Sequence, residues 1–277
     1  MALSDEQLRR KLADQEWTSH NIRLSPEITT MPGKPDFFET DTRLHSILQA
    51  LPLFYREGLK GLRVADLGCL EGGFALAMAQ RGMNVIGIEA RHANLTKALL
   101  LKEHFELPNL EFRRDDVKNF TRESYGIFDI VLALGILYHL DEPLKWMRQL
   151  AAATDGLLIV DSHFAPSHDA GLALMDQRLG PIQQIKDAET TYEGRWYAEC
   201  PDAALRKTQL WASYSNTKSF WLTKDSICCG LIQAGFNLVF EQHDAWGDLD
   251  VYKFFSTRHV RGMFVAIKSN AFPSRES

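Results

Sequence analysis

The sequence lacks the long apolar runs that membrane-spanning segments require. None of its stretches approaches the ~20 uninterrupted apolar residues that cross a bilayer. Its N-terminal residues, MALSDEQLRRKLADQEW, are charged where a signal peptide would carry an apolar segment. We therefore expect a cytoplasmic protein without a membrane partner.

An excess of positive charge is also lacking. The chain carries 31 Lys and Arg against 36 Asp and Glu, which gives a formal net charge of −5. No global positive field would gather a polyanion, so the composition argues against nucleic acid as a partner. A nucleic-acid substrate would need a local basic patch.

Cysteines are few, and their positions lack the spacing of metal ligands. The four are Cys69, Cys200, Cys228 and Cys229, and the adjacent pair cannot easily face one tetrahedral ion. We expect unpaired thiols in a reducing compartment and no metal site.

The chain does contain a regular alternation of short apolar runs and helical patterns from Gly61 onward. This rhythm predicts an α/β protein, with a parallel sheet covered by helices. The length of 277 residues suits one large domain, or one domain that carries an insertion. The predicted strands are 62–67, 84–89, 110–114, 128–134 and 157–160, followed by a hairpin of strands 236–242 and 262–267 at the edge of the sheet.

Composition shifts predict four parts. Residues 1–60 form an N-terminal arm, and residues 61–163 form the ligand-binding core. Residues 164–222 break the rhythm and are rich in aromatic side chains without an obvious sheet pattern, so we interpret them as an inserted substrate cap. Residues 223–277 return to the core with a helix and the strand hairpin.

One motif, Asp66-Leu67-Gly68-Cys69-Leu70-Glu71-Gly72-Gly73, lies at a predicted strand end and opens a helix. Open α/β sheets bind ligands at this place. A dinucleotide site requires Gly-x-Gly-x-x-Gly, but Leu70 stands at the middle glycine, so the match to a nicotinamide site fails. The spacing Asp66-x-Gly68-x-x-x-Gly72 suits S-adenosylmethionine (SAM), which carries an ammonium group and a nucleoside without phosphate.

Further acidic residues follow the next two strands. Glu89 ends the second strand, and its two oxygens could accept both hydroxyls of a ribose. After the third strand, Asp116 offers a carboxylate to an adenine amine and Val117 offers an apolar side chain to the ring. Asp115 could take the role of Asp116, and we favour Asp116.

These residues together resemble the motif series of class I SAM-dependent methyltransferases. The resemblance covers roughly residues 61–162 and implies a Rossmann-like fold, a mostly parallel seven-stranded sheet with helices on both faces. It implies SAM as cofactor and S-adenosylhomocysteine (SAH) as product. Leu70 departs from the family pattern, since many members have a third glycine there. The residues that carry the resemblance are Asp66, Gly68, Gly72, Glu89, Asp116-Val117 and the run Phe128-Asp129-Ile130-Val131.

The resemblance also implies a role for each position. In that family the glycine turn packs against the methionine moiety, the second-strand acid holds the ribose, and the third-strand acid faces adenine. The end of the fourth strand lines the sulfonium side. The implied cofactor-binding residues are Asp66, Gly68, Cys69 and Gly72, then Glu89 and Ala90, then Asp116 and Val117, and finally Leu134 and Gly135.

A shorter likeness concerns residues 134–140, Leu-Gly-Ile-Leu-Tyr-His-Leu, followed by Asp141-Glu142-Pro143. This segment resembles one found in bacterial tRNA wobble-uridine modifying transferases and in related small-molecule methyltransferases. Ser219-Phe220-Trp221 has a similar character. The likeness favours an enzyme with a cap and does not choose the substrate.

Two histidines are candidates for catalysis. His139 follows the fourth strand, where the methyl group should point, and an imidazole with a pKa of ~6.5 can accept a proton near neutral pH. His139 could equally orient the loop. His163, after the fifth strand, competes for the role of base, and Asp161 is a candidate to orient either ring. Tyr138, Trp196 and Trp221 join both histidines as candidate substrate-binding residues, although aromatic clusters are as often ordinary core.

The sequence therefore predicts a SAM-dependent methyltransferase that acts on the oxygen or nitrogen of a small organic molecule by in-line displacement. One alternative is a tRNA-modifying methyl or carboxymethyl transferase. Another is a regulatory protein that binds SAM without turnover. A nicotinamide dehydrogenase is least favoured because of Leu70. The acceptor and the oligomeric state stay open.

Overall fold

The computed structural model describes residues 2–169, 178–242 and 260–268. Seven strands form one mostly parallel sheet, and three more form an antiparallel sheet. The chain divides into two compact units, Met1–Asn119 and Phe120–Ser277. Each unit contains its own strands, helices and candidate site residues.

The first unit joins an N-terminal arm to three parallel strands in the order β3-β2-β1. Parallel strands share one direction, so their carboxyl ends meet at one edge of the sheet. Asp66, Glu89 and Asp116 lie at or just after these ends. The elements of the unit are α1 (Asp5–Ala13), α2 (Thr42–Phe54), β1 (Arg63–Leu67), α3 (Gly73–Ala79), β2 (Asn84–Ile88), α4 (His92–Phe105) and β3 (Leu110–Arg113), with 3₁₀ turns at Phe38–Thr40 and Val117–Asn119.

The arm begins with a capped helix and continues as buried coil. Ser4 and Gln7 exchange hydrogen bonds between side chain and backbone, a capping box that fixes the start of α1. Farther along, Trp17, His20 and Ile22 are all buried. The arm is therefore part of the packed interior of the first unit.

The second unit contains the sheet order β4-β5-β10-β9, in which β10 is antiparallel to both neighbours. Its β4 has the predicted bounds, and its β9 and β10 pair antiparallel at the end of the sheet as predicted, with β9 as the edge strand. The elements are α5 (Arg122–Tyr125), β4 (Phe128–Leu134), α6 (Pro143–Ala153), β5 (Thr154–His163), β6 (Leu179–Asp187), β7 (Thr190–Ala198), α7 (Ala203–Thr208), β8 (Lys218–Leu222), α8 (Lys224–Gln233), β9 (Leu238–Gln242) and β10 (Arg261–Ile267), with a 3₁₀ turn at Leu137–His139.

The segment predicted as a cap contains a sheet, and the expectation of no sheet there was wrong. Strands β6, β7 and β8 pair antiparallel in that order. Only Leu179 of β6 is buried, so this strand has almost none of the apolar alternation that signals a half-buried strand. Its pairing depends on β7, whose Tyr192, Gly194, Arg195 and Tyr197 are buried.

The predicted boundaries at residues 60, 163 and 222 separate parts of the chain by their expected roles, and these boundaries stay predictions. Parts of the predicted cap and of the C-terminal segment, residues 170–177, 243–259 and 269–277, lie outside the described residues.

Candidate active site

The glycine loop between β1 and α3 adopts three left-handed backbone conformations. Gly68, Leu70 and Gly72 have φ values of 67°, 52° and 83°. A Cβ at Gly72 would lie 2.8 Å from Phe112, so packing also requires glycine there. Leu70 adopts a left-handed conformation. Glycine takes this conformation without strain, but it is unfavourable for a residue with a branched side chain. The departure from the family pattern at Leu70 thus leaves a left-handed backbone conformation at this position.

Cys69 occupies the loop with its side chain turned into the core. Its Sγ lies 2.9 Å from the position of a Cβ on Gly87, and its N–H donates to the Ile88 carbonyl at 3.0 Å. Burial raises the pKa of the thiol well above its usual value, so Cys69 is a neutral packing residue of this loop.

Two buried carboxylates stand at the ends of β1 and β2. Asp66 accepts a hydrogen bond from the Ala75 N–H at 3.0 Å. Glu89 accepts from the N–H groups of Arg91 at 2.7 Å and Leu70 at 3.1 Å. Burial raises the pKa of both acids to about 7, against the opposing effect of these hydrogen bonds. Glu89 thereby ties the strand end to the glycine loop.

The cofactor residues predicted after β3, Asp116 and Val117, differ in their exposure. Asp116 is partly exposed, and its carboxylate accepts from the Lys118 N–H at 3.0 Å, whereas Val117 is buried. Asp115 is occupied by the Asp116 N–H and by the Asn119 amide, both at 2.8 Å. Ala90 is partly exposed, and its carbonyl accepts from Arg114.

In the second unit, Leu134 ends β4 and Gly135 opens the following loop with a φ of 74°. The Gly135 N–H donates to the Asp161 carbonyl at 2.8 Å, which fixes the loop to β5. The 3₁₀ turn that follows carries Tyr138 and His139 side by side, with ring centroids 4.3 Å apart.

His139 forms a partly buried pair with Glu199, in which the His139 side chain is 13% exposed and that of Glu199 4%. Its Nδ1 lies 2.9 Å from Glu199 Oε1, and the same oxygen accepts from the Ser219 hydroxyl at 2.7 Å. A carboxylate only accepts hydrogen bonds, so Nδ1 carries a proton, and in the neutral ring the lone pair then lies on Nε2. Asn216 holds the His139 backbone carbonyl at 2.5 Å. The ring is therefore fixed in the tautomer that a general base requires.

His163 has different surroundings. Its ring stacks on Trp221 at 5.2 Å, and its Nδ1 lies 3.2 Å from the Val260 carbonyl. Burial first, and then the Arg261 guanidinium, lower the pKa of His163. Because the same guanidinium disfavours the protonated ring, His163 is suited to accept a hydrogen bond rather than to hold a proton.

The structure gathers some predicted aromatic residues and separates another. Tyr138 and Tyr197 both contact Trp221, at centroid distances of 5.6 and 4.6 Å. Trp196 lies on the opposite face of β7, against Phe220 and beneath the Lys218 ammonium, because successive strand residues point to opposite faces. The aromatic cluster thus includes Tyr197, and Trp196 packs apart from it.

Sequence reasoning missed Arg261 and Glu199, the partners of Asp161 and His139. Asp161, the candidate orienting acid, binds Arg261 through both oxygens, at 3.0 and 2.5 Å. Glu199 holds His139 instead, from 60 residues away in sequence. No local pattern could have identified either pairing. The only available signal for Glu199 was that it is an acid within the predicted cap.

Two features are absent from the described residues. Within residues 2–169, 178–242 and 260–268, no group of three His, Cys, Asp or Glu side chains could hold a metal ion. In the same ranges, no helix is both long and apolar enough to cross a membrane.

A family model described as a methyltransferase domain matches residues 39–241. The chain belongs to this methyltransferase family. The match covers most of the chain, and it confirms the resemblance to class I SAM-dependent methyltransferases.

Curated relatives match a shorter part of this methyltransferase. The ubiquinone biosynthesis O-methyltransferase of Acinetobacter baylyi is 37% identical over 91 residues, which are 33% of this chain and 38% of the relative. The enzyme of the same name from Pseudomonas aeruginosa is 37% identical over 93 residues, 34% of this chain and 40% of the relative. The chain thus spans well under half the length of these relatives.

Solved structures confirm the fold of the methyltransferase. The N-terminal domain of EvdMO1, crystallised in the presence of SAH and D-fucose, has a TM-score of 0.70 at 21% identity, over 96% of this chain and 97% of that domain. Magnesium protoporphyrin IX methyltransferase from Synechocystis PCC 6803 with bound SAM has a TM-score of 0.52 at 17% identity, over 86% and 87% of the two chains.

Proposed function

We propose that the protein transfers the methyl group of SAM to a hydroxyl group of a small organic molecule. The observation that carries the choice of a hydroxyl is the His139–Glu199 pair. A hydroxyl must lose its proton when it is methylated, and this pair presents a fixed imidazole lone pair that can accept it. The curated relatives that share part of the sequence are named as O-methyltransferases, which supports the same choice.

The first unit contains residues that fit the adenosyl part of SAM. Glu89 is buried at the end of β2, and its hydrogen-bond donors among the described residues are backbone N–H groups. An ionised carboxylate has about four acceptor positions, so Glu89 can accept the two ribose hydroxyls in addition. Gly68 and Gly72 would pack against the methionine part, and Asp116 and Val117 would face adenine.

The second unit contains residues that fit the acceptor. When bound, SAM supplies an electrophilic methyl group on a sulfonium. His139 Nε2 takes the hydroxyl proton as the oxygen–carbon bond forms and the sulfur–carbon bond breaks, and Glu199 stabilises the imidazolium that results. We assign the base to His139 rather than His163, because His139 faces a carboxylate and His163 faces a guanidinium.

The aromatic cluster supports a small acceptor with an apolar or ring portion. Trp221 is buried, and its indole N–H has no hydrogen-bond partner among the described residues. Such a donor is unfavourable by about 1–3 kcal/mol unless something accepts it. An oxygen atom of the acceptor would satisfy it, and Tyr138 and His163 would contact the same molecule.

The first experiment is calorimetric titration of the protein with SAM, SAH and NAD. We expect micromolar binding of both adenosyl ligands, no binding of NAD, and loss of binding in Glu89→Ala. A folded protein that binds neither adenosyl ligand would contradict the proposal.

The second experiment tests the pair once an acceptor has been found. His139→Ala should lower kcat by ~10²–10⁴-fold. Glu199→Gln should lower kcat and change its pH profile, while Glu193→Gln, an acid on β7 that bonds to Gln184, should change neither. Activity of His139→Ala within a few-fold of the wild type would remove His139 as the base.

We place the protein in the cytoplasm, because its four cysteines are free thiols. The tRNA-modifying alternative stays a prediction. Salt-dependent binding of tRNA would favour it.

A further inference from the structure

The glycine loop carries a second buried glutamate, Glu71, which none of the roles above uses. One oxygen accepts from the Thr18 N–H at 2.6 Å and from the Thr18 hydroxyl at 3.1 Å, and also binds the Lys97 ammonium at 2.9 Å. The other oxygen accepts from the N–H groups of Ser19 at 3.1 Å and His20 at 2.8 Å. We call Glu71, Thr18, Ser19, His20 and Lys97 the Glu71 clasp.

The clasp joins the N-terminal arm and α4 to the loop. Its ion pair is almost completely enclosed, with 2% of the Lys97 side chain and none of the Glu71 side chain exposed. Burial alone would raise the pKa of Glu71, but His20 and Lys97 hold it below its usual value. Glu71 is therefore a fully compensated anion, and its oxygens are occupied by the protein itself.

A second contact ties the arm to the same loop. His20 Nδ1 accepts a hydrogen bond from the Gly73 N–H at 3.1 Å, and the ring packs edge-on against Phe38 and Phe74. Burial lowers the pKa of His20 to about 4, so the ring is neutral near pH 7 and its lone pair is available.

The clasp lies beside the strained residue of the loop. Leu70 has a φ of 52°, and its N–H is held by Glu89 at 3.1 Å. Glu71 is the next residue, held by the arm and Lys97. The left-handed conformation of Leu70 is thus fixed from both sides. A strained backbone conformation of this kind persists only where the surrounding contacts hold it in place.

We propose that Glu71 is a positioning residue for the cofactor, which acts through the arm to hold the glycine loop in its binding conformation. This inference rests on the proposed function, since the ligand of the loop is SAM or SAH. The arm is then part of the cofactor site, and arm docking and cofactor affinity change together.

The test compares Glu71→Gln with Glu103→Gln. The control removes an ion pair that also joins the arm to α4, Lys11–Glu103 at 2.8 Å, but its side chains are 38% and 49% exposed. We expect calorimetry to show SAH bound about tenfold or more weakly by Glu71→Gln, within the usual range of coupling between sites. Glu103→Gln should bind like the wild type, and equal binding by both variants would overturn the proposal.

A rescue experiment separates positioning from general stability. Leu70→Gly removes the strain, because glycine adopts a positive φ freely. In that background Glu71→Gln should weaken SAH binding by only about threefold or less, because the loop then has no strained residue for the arm contacts to hold in place. The same loss of affinity in both backgrounds would show that Glu71 does not act through the loop conformation.

Hydrogen exchange provides a readout without ligand. Peptides covering residues 68–73 should exchange faster in Glu71→Gln than in the wild type or Glu103→Gln, and unchanged exchange would overturn the proposal. If wild type binds no SAH but exchange responds as expected, the proposed function fails and the clasp stands. Should Glu71→Gln fail to fold, the variant Glu71→Gln/Lys97→Met removes both charges together and replaces it in each measurement.

Discussion

Glu71 and Glu89 are both buried glutamates of the first unit, yet their carboxyl groups have different partners and their pKa values shift in opposite directions. Glu71 has donors on both oxygens, including an ammonium group, and its pKa lies below the usual value. Glu89 has backbone N–H donors, and its pKa is raised to about 7. Burial is common to both residues, so the completeness of their partners is what separates the glutamate that we propose to hold the loop from the one that we propose to bind the ribose.

The largest expected effect is on stability at the compensated site. Glu71→Gln leaves the Lys97 ammonium buried without its carboxylate, and breaking such a pair costs about 3–5 kcal/mol of unfolding free energy. Urea unfolding measures this loss. The double variant with Lys97→Met should lose less than the sum of the two single variants, and additivity would contradict a direct pair.

The second prediction concerns the pH dependence of the incompletely compensated site. A carboxyl group whose folded pKa is raised stabilises the fold below its unfolded pKa and loses this contribution as pH rises through the folded value. For Glu89 the window runs from 4.5 to about 7. Between pH 4.5 and 8, ligand-free wild type should therefore lose up to about 3 kcal/mol relative to Glu89→Gln.

Comparison with the variant is necessary because other groups titrate in the same window. Asp66 acts in the same direction as Glu89, and His20, whose pKa is lowered to about 4, acts in the opposite direction. Both are present in wild type and variant, so the difference removes the contribution of His20 and most of that of Asp66, whose pKa Glu89 raises as the smallest of its causes. Parallel pH profiles of the two proteins would refute the contrast between Glu71 and Glu89.

The third prediction is smaller and concerns the ligand. At pH 8, Glu89→Gln should bind SAH roughly 10- to 100-fold more weakly, because hydrogen bonds to a charged group contribute about 1.5–3 kcal/mol. Calorimetry gives the affinity, and circular dichroism checks the fold. Unchanged affinity would remove Glu89 from the ribose site.

The smallest effect is expected at an exposed pair. Glu103→Gln breaks the ion pair with Lys11, whose side chain and that of Glu103 are substantially exposed. Such pairs contribute about 0–1 kcal/mol, and the contribution falls with added salt. Urea unfolding at two salt concentrations checks this. A loss as large as that of Glu71→Gln would mean that the number of arm contacts, rather than burial, decides their strength.

The parts of the fold carried by local patterns were predictable. β4 has the predicted bounds, because a run of seven residues that is apolar except for Asp129 signals a strand buried on both faces. The glycine loop was recognised from its spacing, including the departure at Leu70. β6 was missed, because its sequence lacks the regular alternation of apolar and polar residues that indicates a half-buried strand.

Pairings between distant residues were not predictable. Asp161 was a reasonable partner for a histidine because it lies near His163, but Arg261, 100 residues away in sequence, takes both of its oxygens. Glu199 binds His139, which lies 60 residues away in sequence, and Glu71 binds His20, which lies about 50 residues away. Such contacts exist only after the chain has folded, and one sequence contains no local trace of them.

The Glu71 clasp also constrains the order in which the chain can fold. During synthesis Thr18, Ser19 and His20 emerge well before Glu71, and Lys97 emerges later still. Closing contacts of such sequence separation requires loop closure before they stabilise anything. The arm therefore has no fixed place until residue 97 has left the ribosome. We expect nascent chains shorter than this to be cleaved readily near Trp17, and longer ones to resist.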